Sequence, residues 1–385
     1  MRAFSRMIGI VWLLISWSIL AATPSPQAMT KLEALRKRSV REGWTFTIAY
    51  SPVMEYPIDT VTGLIKRADW KKNATFVSPR LTRIPANFDW RDEANGLTPI
   101  KNQKQCGSCW AFGTVAVFEN LIKIRDNVVK SLSEQQLVSC NNQGWGCSGG
   151  EFAHDIHVNP GAALTADFPY TAEDGSCKPN LTYTGKIESW AYVGGSDSTY
   201  PSNDQIKQAI HDDGPVAVTV DATDSFQAYS GGIYNANDGS ETNHLVALVG
   251  YNDDGQYWIL RNSWGASWGE EGYMRIKYRS NAVGEQTTFV NYKPACTPQP
   301  IPYVGDDKTM APGESVFIGG MPVAGQTYQW SPETGLDNPT VASPLASPTQ
   351  TTTYTLKATN DCGTGQKTVT VTVAAGRAKK RPSAK

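Results

Sequence analysis

The chain has 385 residues, 40 % of them hydrophobic, and its 35 Lys and Arg against 36 Asp and Glu leave a net charge of −1. At about 100–200 residues per domain, this length fits two or three folded units with substantial cores. So even a balance gives no electrostatic reason to expect nucleic acid or an anionic membrane as a partner, and the closing Arg377-Ala378-Lys379-Lys380-Arg381 run reads as a solvated tail.

Arg2 and Arg6 precede an apolar run from Ile8 to Leu20, which is short for a transmembrane helix and is followed by the small residues Ala21, Ala22 and Thr23. Residues 1–23 are therefore expected to be a signal peptide directing the protein to the periplasm or the extracellular space, with a retained anchor as the alternative. No other stretch is long and apolar enough to span a bilayer. Residues 24–83 are polar and basic, with weak periodicity around Leu32, Leu35 and Val40 and no long helical pattern.

Beyond them, Val117, Phe118, Leu121 and Ile124 recur at helical spacing and predict a helix from Cys109 to about Arg125. Ser133-Glu134-Gln135-Gln136 has the form of a capping box opening a second helix, and Ser202 to His211 is a third helical segment. From Pro215 the pattern changes to strands: Val216, Val218 and Val220 alternate with smaller or polar residues. Leu245–Tyr251 and Gln256–Leu260 then flank an Asn252-Asp253-Asp254-Gly255 turn and predict a β-hairpin. Such a hairpin brings His244, at its start, beside Asn262, just past its end. Pro298, Pro300 and Pro302 mark a semi-rigid linker. After it, Tyr328-Gln329-Trp330, Thr353–Leu356 and Thr368–Val371 predict a small all-β sandwich.

Seven cysteines, Cys106, Cys109, Cys140, Cys147, Cys177, Cys296 and Cys362, suit an oxidising compartment, and an odd count leaves one thiol over. Spacing alone does not fix the pairing. Cys106-x-x-Cys109 has the form of half a zinc site, but Cys140 and Cys147 do not supply the other half. His154 and His157 sit one helical turn apart without a companion ligand pattern. No metal and no cofactor are expected.

One cysteine stands in a distinctive setting. Residues 103–112 read Gln-Lys-Gln-Cys-Gly-Ser-Cys-Trp-Ala-Phe, and the C-G-[SA]-C-[WY] signature calls for a His and an Asn about 130–150 residues downstream. His244 and Asn262 stand there in the right order. On these residues, the chain from about Ile84 to Tyr292 resembles the papain family of cysteine proteases. The resemblance implies an α+β, two-lobed protease: a helical lobe carries Cys109, a β-rich lobe carries His244, and substrate lies between them.

It further implies that Cys109 is a nucleophile whose thiolate is favoured by a helix amino terminus and by an imidazolium at His244. His244 would act as base and then acid, and Asn262 would accept from its second ring nitrogen. Trp264 and Trp268 would cover the pair. Gln103, six residues before Cys109, would donate to the oxyanion together with the Cys109 amide; Gln105 is nearer in sequence, but the family register points to Gln103. Cys147-Ser148-Gly149-Gly150 also matches the family. Gly149 and Gly150 would let an extended peptide approach closely, while Phe152, Thr219, Thr242 and Leu245 would line a largely apolar pocket with Glu151 at its mouth. The implied disulfides are Cys106–Cys147 and Cys140–Cys177, which frees Cys109 and leaves Cys296 and Cys362 to pair with each other.

Ile84-Pro85-Ala86-Asn87-Phe88-Asp89-Trp90-Arg91 resembles the start of a mature domain of this family. Residues 24–83 are then a propeptide that inhibits its own enzyme, 84–296 the protease, 297–375 a module similar to polycystic-kidney-disease-like or immunoglobulin-like domains, and 376–385 a basic tail. No insertion with paired histidines follows Gly149-Gly150, which favours internal cleavage over trimming of chain ends. A third disulfide common in the β-rich half is also not evident. The expectation is a secreted, monomeric cysteine endopeptidase that is made as a zymogen and acts on proteins or peptides. The alternative is a secreted binding or adhesion protein whose papain-like domain is inactive.

Overall fold

The computed structural model describes residues 23–196, 200–293, 300, 302–323, 325–360 and 363–374. Residues 1–22, within the segment read above as a signal peptide, and Cys296, Pro298, Cys362 and the basic tail lie outside the described residues. The polar segment after residue 23 begins with a helix, α1 (Pro26–Glu42), 17 residues long. This departs from the expectation of no long helix. The Ser25 side chain caps it by accepting from the Ala28 amide, Pro26 opens it, and Gly43 ends it in the left-handed region. Only Ala28, Leu32 and Leu35 are buried, and Val40 is 84 % exposed. Three contacts over five turns make a weak periodic signal, so the stripe is short although the helix is real.

The helical lobe is built on α2 (Cys109–Asp126), α3 (Glu134–Cys140) and α4 (His154–Val158), around Trp110, Val115, Phe118, Leu121 and Leu137. At α3 the Ser133 hydroxyl does accept from the Gln136 amide. The Gln136 side chain instead bonds the Gly161 carbonyl and the Ala163 amide, so the box is half formed. Both halves of a capping box occur at α5 (Asn203–Asp213), between Ser202 and Gln205.

A ten-stranded sheet forms the other lobe. Its labelled strands are β1 (Phe46–Ile48), β2 (Ser189–Val193), β3 (Val216–Val220), β4 (Tyr229–Tyr234), β5 (His244–Asn252), β6 (Tyr257–Arg261), β7 (Tyr273–Lys277) and β8 (Thr287–Asn291). They run in the order β1-β4-β7-β6-β5-β3-β8-β2, and the short strand Phe76–Val77 follows β2 at the far edge. The predicted hairpin is present as β5 and β6, antiparallel, with one register shift between Ile259 and Leu260. Residues 24–83 therefore supply both ends of this sheet: β1 pairs with β4, and Phe76–Val77 pairs with β2.

Past residue 300 the chain forms a separate four-stranded sheet from β9 (Lys308–Met310), β10 (Thr327–Ser331), β11 (Thr352–Asn360) and β12 (Gly363–Val373), in the order β9-β12-β11-β10. Trp330, Tyr354, Leu356, Val369 and Val371 form its core. The segments between these strands touch the larger unit: Met321 packs on the β-rich core and the Arg83 guanidinium lies over Phe317.

His154 and His157 on α4 are fully buried. His154 bonds Thr288 Oγ1 through Nε2 at 3.0 Å, and neither ring nitrogen of His157 has a hydrogen-bond partner. Burial pushes both pKa values down to about 3, and the neighbouring His157 ring disfavours charge on His154 further. A histidine depressed below its unfolded value of about 6.5 contributes stability above that pH and loses it as pH falls toward about 3, at roughly 1.4 kcal/mol per unit and ring. His157→Leu should therefore shrink the fall in Tm between about pH 7 and pH 4 relative to the unmodified protein. Equal falls in the two proteins would show that the ring does not resist protonation.

Candidate active site

Cys109 is the first residue of α2, His244 the first of β5, and Asn262 directly follows β6. The helix and the strand meet at Gly113, one turn into α2, where a Cβ would overlap the Leu245 side chain. Glycine in a helix interior costs about 0.5–1 kcal/mol relative to alanine; here it lets the helix carrying Cys109 close on the strand carrying His244. Cys109 is the free cysteine among the described residues and is wholly buried. Cys106–Cys147 and Cys140–Cys177 are bonded as the resemblance implied.

The His244 ring bonds Asn262 Oδ1 through Nε2 at 2.9 Å, and its Nδ1 has no partner. Asn262 is fixed in turn, because its Oδ1 also accepts from the Ser263 amide at 2.8 Å. Trp264 stacks on the His244 ring, with centroids 4.9 Å apart, and Trp268 meets Trp264 edge-on at 5.4 Å. Gln103 is buried, and its Oε1 accepts from Ser263 Oγ at 2.6 Å. That bond aims its Nε2 at the carbonyls of Cys106, 2.8 Å away, and Val61, 3.1 Å away. Ser263 was not singled out in the sequence. Its place between Asn262 and Trp264 was the available signal.

The cleft is filled by the chain's own residues 61–66. Besides Gln103, the Trp264 indole donates to the Val61 carbonyl at 3.0 Å. Gly63 and Leu64 donate to the Asn243 carbonyl, Gly150 donates to Gly63, and Ile65 donates to Gly150. Leu64 and Gly150 thus pair in parallel register. At Gly63 a Cβ would overlap the Gly107 carbonyl, so only glycine seats the segment this deeply. Gly150 lies flat on the Trp110 indole, which leaves no room for a Cβ there either.

The proposed pocket residues divide. Phe152 and Leu245 belong to the apolar cluster on which Leu64 packs. Thr219 and Leu245 are register partners on β3 and β5, and Thr219 exchanges backbone bonds with the Gly284–Gln286 turn. The Thr242 hydroxyl donates to Glu285, a buried carboxylate absent from the sequence-based set. Glu151 is partly buried, which raises its pKa, while Arg67 draws it down.

Electrostatically the covered site is neutral, not the thiolate–imidazolium pair expected of the working enzyme. Burial pushes the Cys109 thiol up to about 12, against a smaller downward pull from the amides of Leu245, Gly63, Trp110 and Cys109 itself. Burial also lowers His244 to about 4, although the Asn262 bond opposes this.

Residues 84–293 match the pattern of the Papain family cysteine protease. A viral cathepsin of Cydia pomonella granulosis virus is 38 % identical over 214 residues, covering 54 % of this chain and 62 % of that protein. A KDEL-tailed cysteine endopeptidase of Arabidopsis thaliana is 43 % identical over 206 residues, covering 51 % of this chain and 55 % of its own length. The chain thus spans under two thirds of either relative. The procathepsin L2 proteinase from Tenebrio molitor larval midgut superposes with a TM-score of 0.61 at 32 % identity, covering 69 % of this chain and 91 % of that one. That likeness takes in a larger share of the chain than residues 84–293, so it reaches beyond the protease unit into a precursor form. The chain belongs to the papain family of cysteine proteases.

Proposed function

We propose that this protein is a secreted cysteine endopeptidase, made as a zymogen in which residues 24–83 are the inhibitory propeptide and 84–296 the protease. The observation that carries this reading is the His244–Asn262 bond through Nε2, which leaves Nδ1 without a partner in the lobe that faces the free Cys109. Removal of the segment would rehydrate the seam and let the proton pass from the thiol to His244. The thiolate then attacks the substrate carbonyl carbon, forming an S–C bond while the C=O electrons move to oxygen. Gln103 Nε2 and the Cys109 amide hold that oxyanion. Collapse breaks the C–N bond as His244 returns its proton to the leaving amine, and an acyl-enzyme remains. Water, deprotonated by His244, releases the acid and restores the thiol. Throughout, Asn262 keeps the ring in the useful tautomer, and Trp264 shields that bond from water.

The rival reading, a binding protein with an inactive domain, is disfavoured because Gln103, Cys109, His244 and Asn262 are all retained. The sheet beyond residue 300 has the strand content and buried Trp of a small sandwich, and we assign it as a polycystic-kidney-disease-like or immunoglobulin-like module that serves localisation, stability or large-substrate binding. Among the described residues no helix is long and apolar enough to cross a membrane.

An epoxide-type thiol inhibitor should label Cys109 in processed protein, and Cys109→Ala should lower kcat by about 10⁴-fold or more. Gln103→Ala should cost about 10²–10³ in kcat, the usual loss for one oxyanion donor. Peptide hydrolysis that survives Cys109→Ala would remove the thiol mechanism.

A second outcome concerns the precursor. Because a Cβ at Gly63 meets the Gly107 backbone, Gly63→Val should unseat the segment and give a precursor that is active before cleavage. Amino-terminal sequencing of active unmodified protein should place its start between about Arg80 and Ile84. A silent Gly63→Val precursor, or an active unmodified species retaining Lys31 to Arg83, would contradict the inhibitory role.

A further inference from the structure

Glu285 is the unexplained charge of the cleft. It is 8 % exposed, and its carboxylate lies 2.6 and 2.7 Å from the Lys66 ammonium. The Thr242 hydroxyl donates to the same carboxylate at 3.3 Å, and Thr242 stands two residues before His244. The backbone holding Glu285 is clamped: Gly284 donates to the Thr219 carbonyl at 3.0 Å, Thr219 donates to the Gln286 carbonyl at 3.0 Å, and the Gln286 amide donates to Thr219 Oγ1 at 3.1 Å. Among the described residues, Lys66 is the cation within ion-pair distance of this carboxylate. Lys66 belongs to the segment assigned to the propeptide, two residues after Leu64, which packs on the apolar cluster of Phe152 and Leu245.

Once that segment leaves, a fixed carboxylate in a recessed position loses its cation. The carboxylate, held in place by its clamped backbone, then faces the cleft without its cation, and a basic group of the substrate can take the place of Lys66 in a charge-assisted contact. The neighbouring Leu64 packs on the apolar cluster of Phe152 and Leu245, so a long basic side chain entering there would lay its methylene stem toward that cluster and bring its charged head to the acid. On the protease reading above, we propose that Glu285 makes this pocket select lysine or arginine in the substrate residue preceding the one whose carbonyl is attacked, with Lys66 as its stand-in in the precursor. The pocket is thus not purely apolar, and its acid comes from Glu285 rather than Glu151.

The test uses processed full-length protein and three peptides that differ at that position: arginine, its uncharged isostere citrulline, and leucine. Unmodified enzyme should cleave the arginine peptide with a kcat/KM about 10–100-fold above the citrulline peptide, as expected for one charge-assisted contact. Glu285→Gln should erase most of that ratio and leave the leucine peptide within about twofold. Equal turnover of arginine and citrulline peptides by unmodified enzyme would overturn the assignment even if Glu285→Gln fails to fold. So would an arginine preference that survives Glu285→Gln. If the processed protein cleaves none of the three, the protease reading itself fails and takes the pocket with it; turnover of leucine alone overturns only the pocket.

Discussion

The site depends on how closely the first turn of α2 can approach the first residues of β5. Gly113 sets that distance, because any side chain there would collide with Leu245. Cys109 lies one turn before the contact and His244 one residue before it, so a single backbone approach fixes both side chains. The seam that results is dry, with both residues wholly buried. Dryness decides its chemistry. In water a cysteine and a histidine would hold pKa values of about 8.5 and 6.5, whereas here the thiol is driven up and the imidazole down. Both are neutral at ordinary pH, and a neutral thiol is a poor nucleophile.

The roof of that seam is the chain's own residues 61–65, and the roof is tied into the fold far from the cleft. The segment before it forms α1 and edge strand β1, and the segment after it reaches the other edge as Phe76–Val77. Uncovered sheet edges invite pairing with other chains, so residues 24–83 both mask the site and cap the sheet. Losing them would expose two edges as well as the seam that holds Cys109 and His244. Lys31 and Arg38 add ion pairs to Asp224 and Asp238 at the docking face of α1. The Lys31–Asp224 pair is partly exposed and contributes little by itself, the Asp238 carboxylate is buried beneath Arg38, and the apolar contacts of Leu32 and Leu35 add to that attachment.

Much of the site was legible because its residues sit at ends of strongly patterned elements. The helix after Cys109 announces itself through Val117, Phe118, Leu121 and Ile124, and the Asp253-Asp254-Gly255 turn forces the hairpin that joins His244 to Asn262. Gln103 was recognisable only through family register, since its orientation comes from Ser263, 160 residues away. What the sequence concealed is of two kinds. Helix α1 carries too few buried positions for its length to show a period. Glu285 looks like any surface acid until the pairing of Thr219 with its turn places it beside Thr242. Such long-range placement leaves no local trace.

The central claim is that precursor and processed protein differ in the ionisation of one thiol. Alkylation of Cys109 by iodoacetamide across pH measures this directly, with Cys296 and Cys362 replaced by serine so that no other thiol can react. The precursor should react negligibly near neutral pH, with its apparent pKa above the free-thiol value of about 8.5, and the processed protein should react with an apparent pKa below it. Superimposable profiles for the two forms would show that the amino-terminal segment does not control the thiol, and the desolvation account would be wrong.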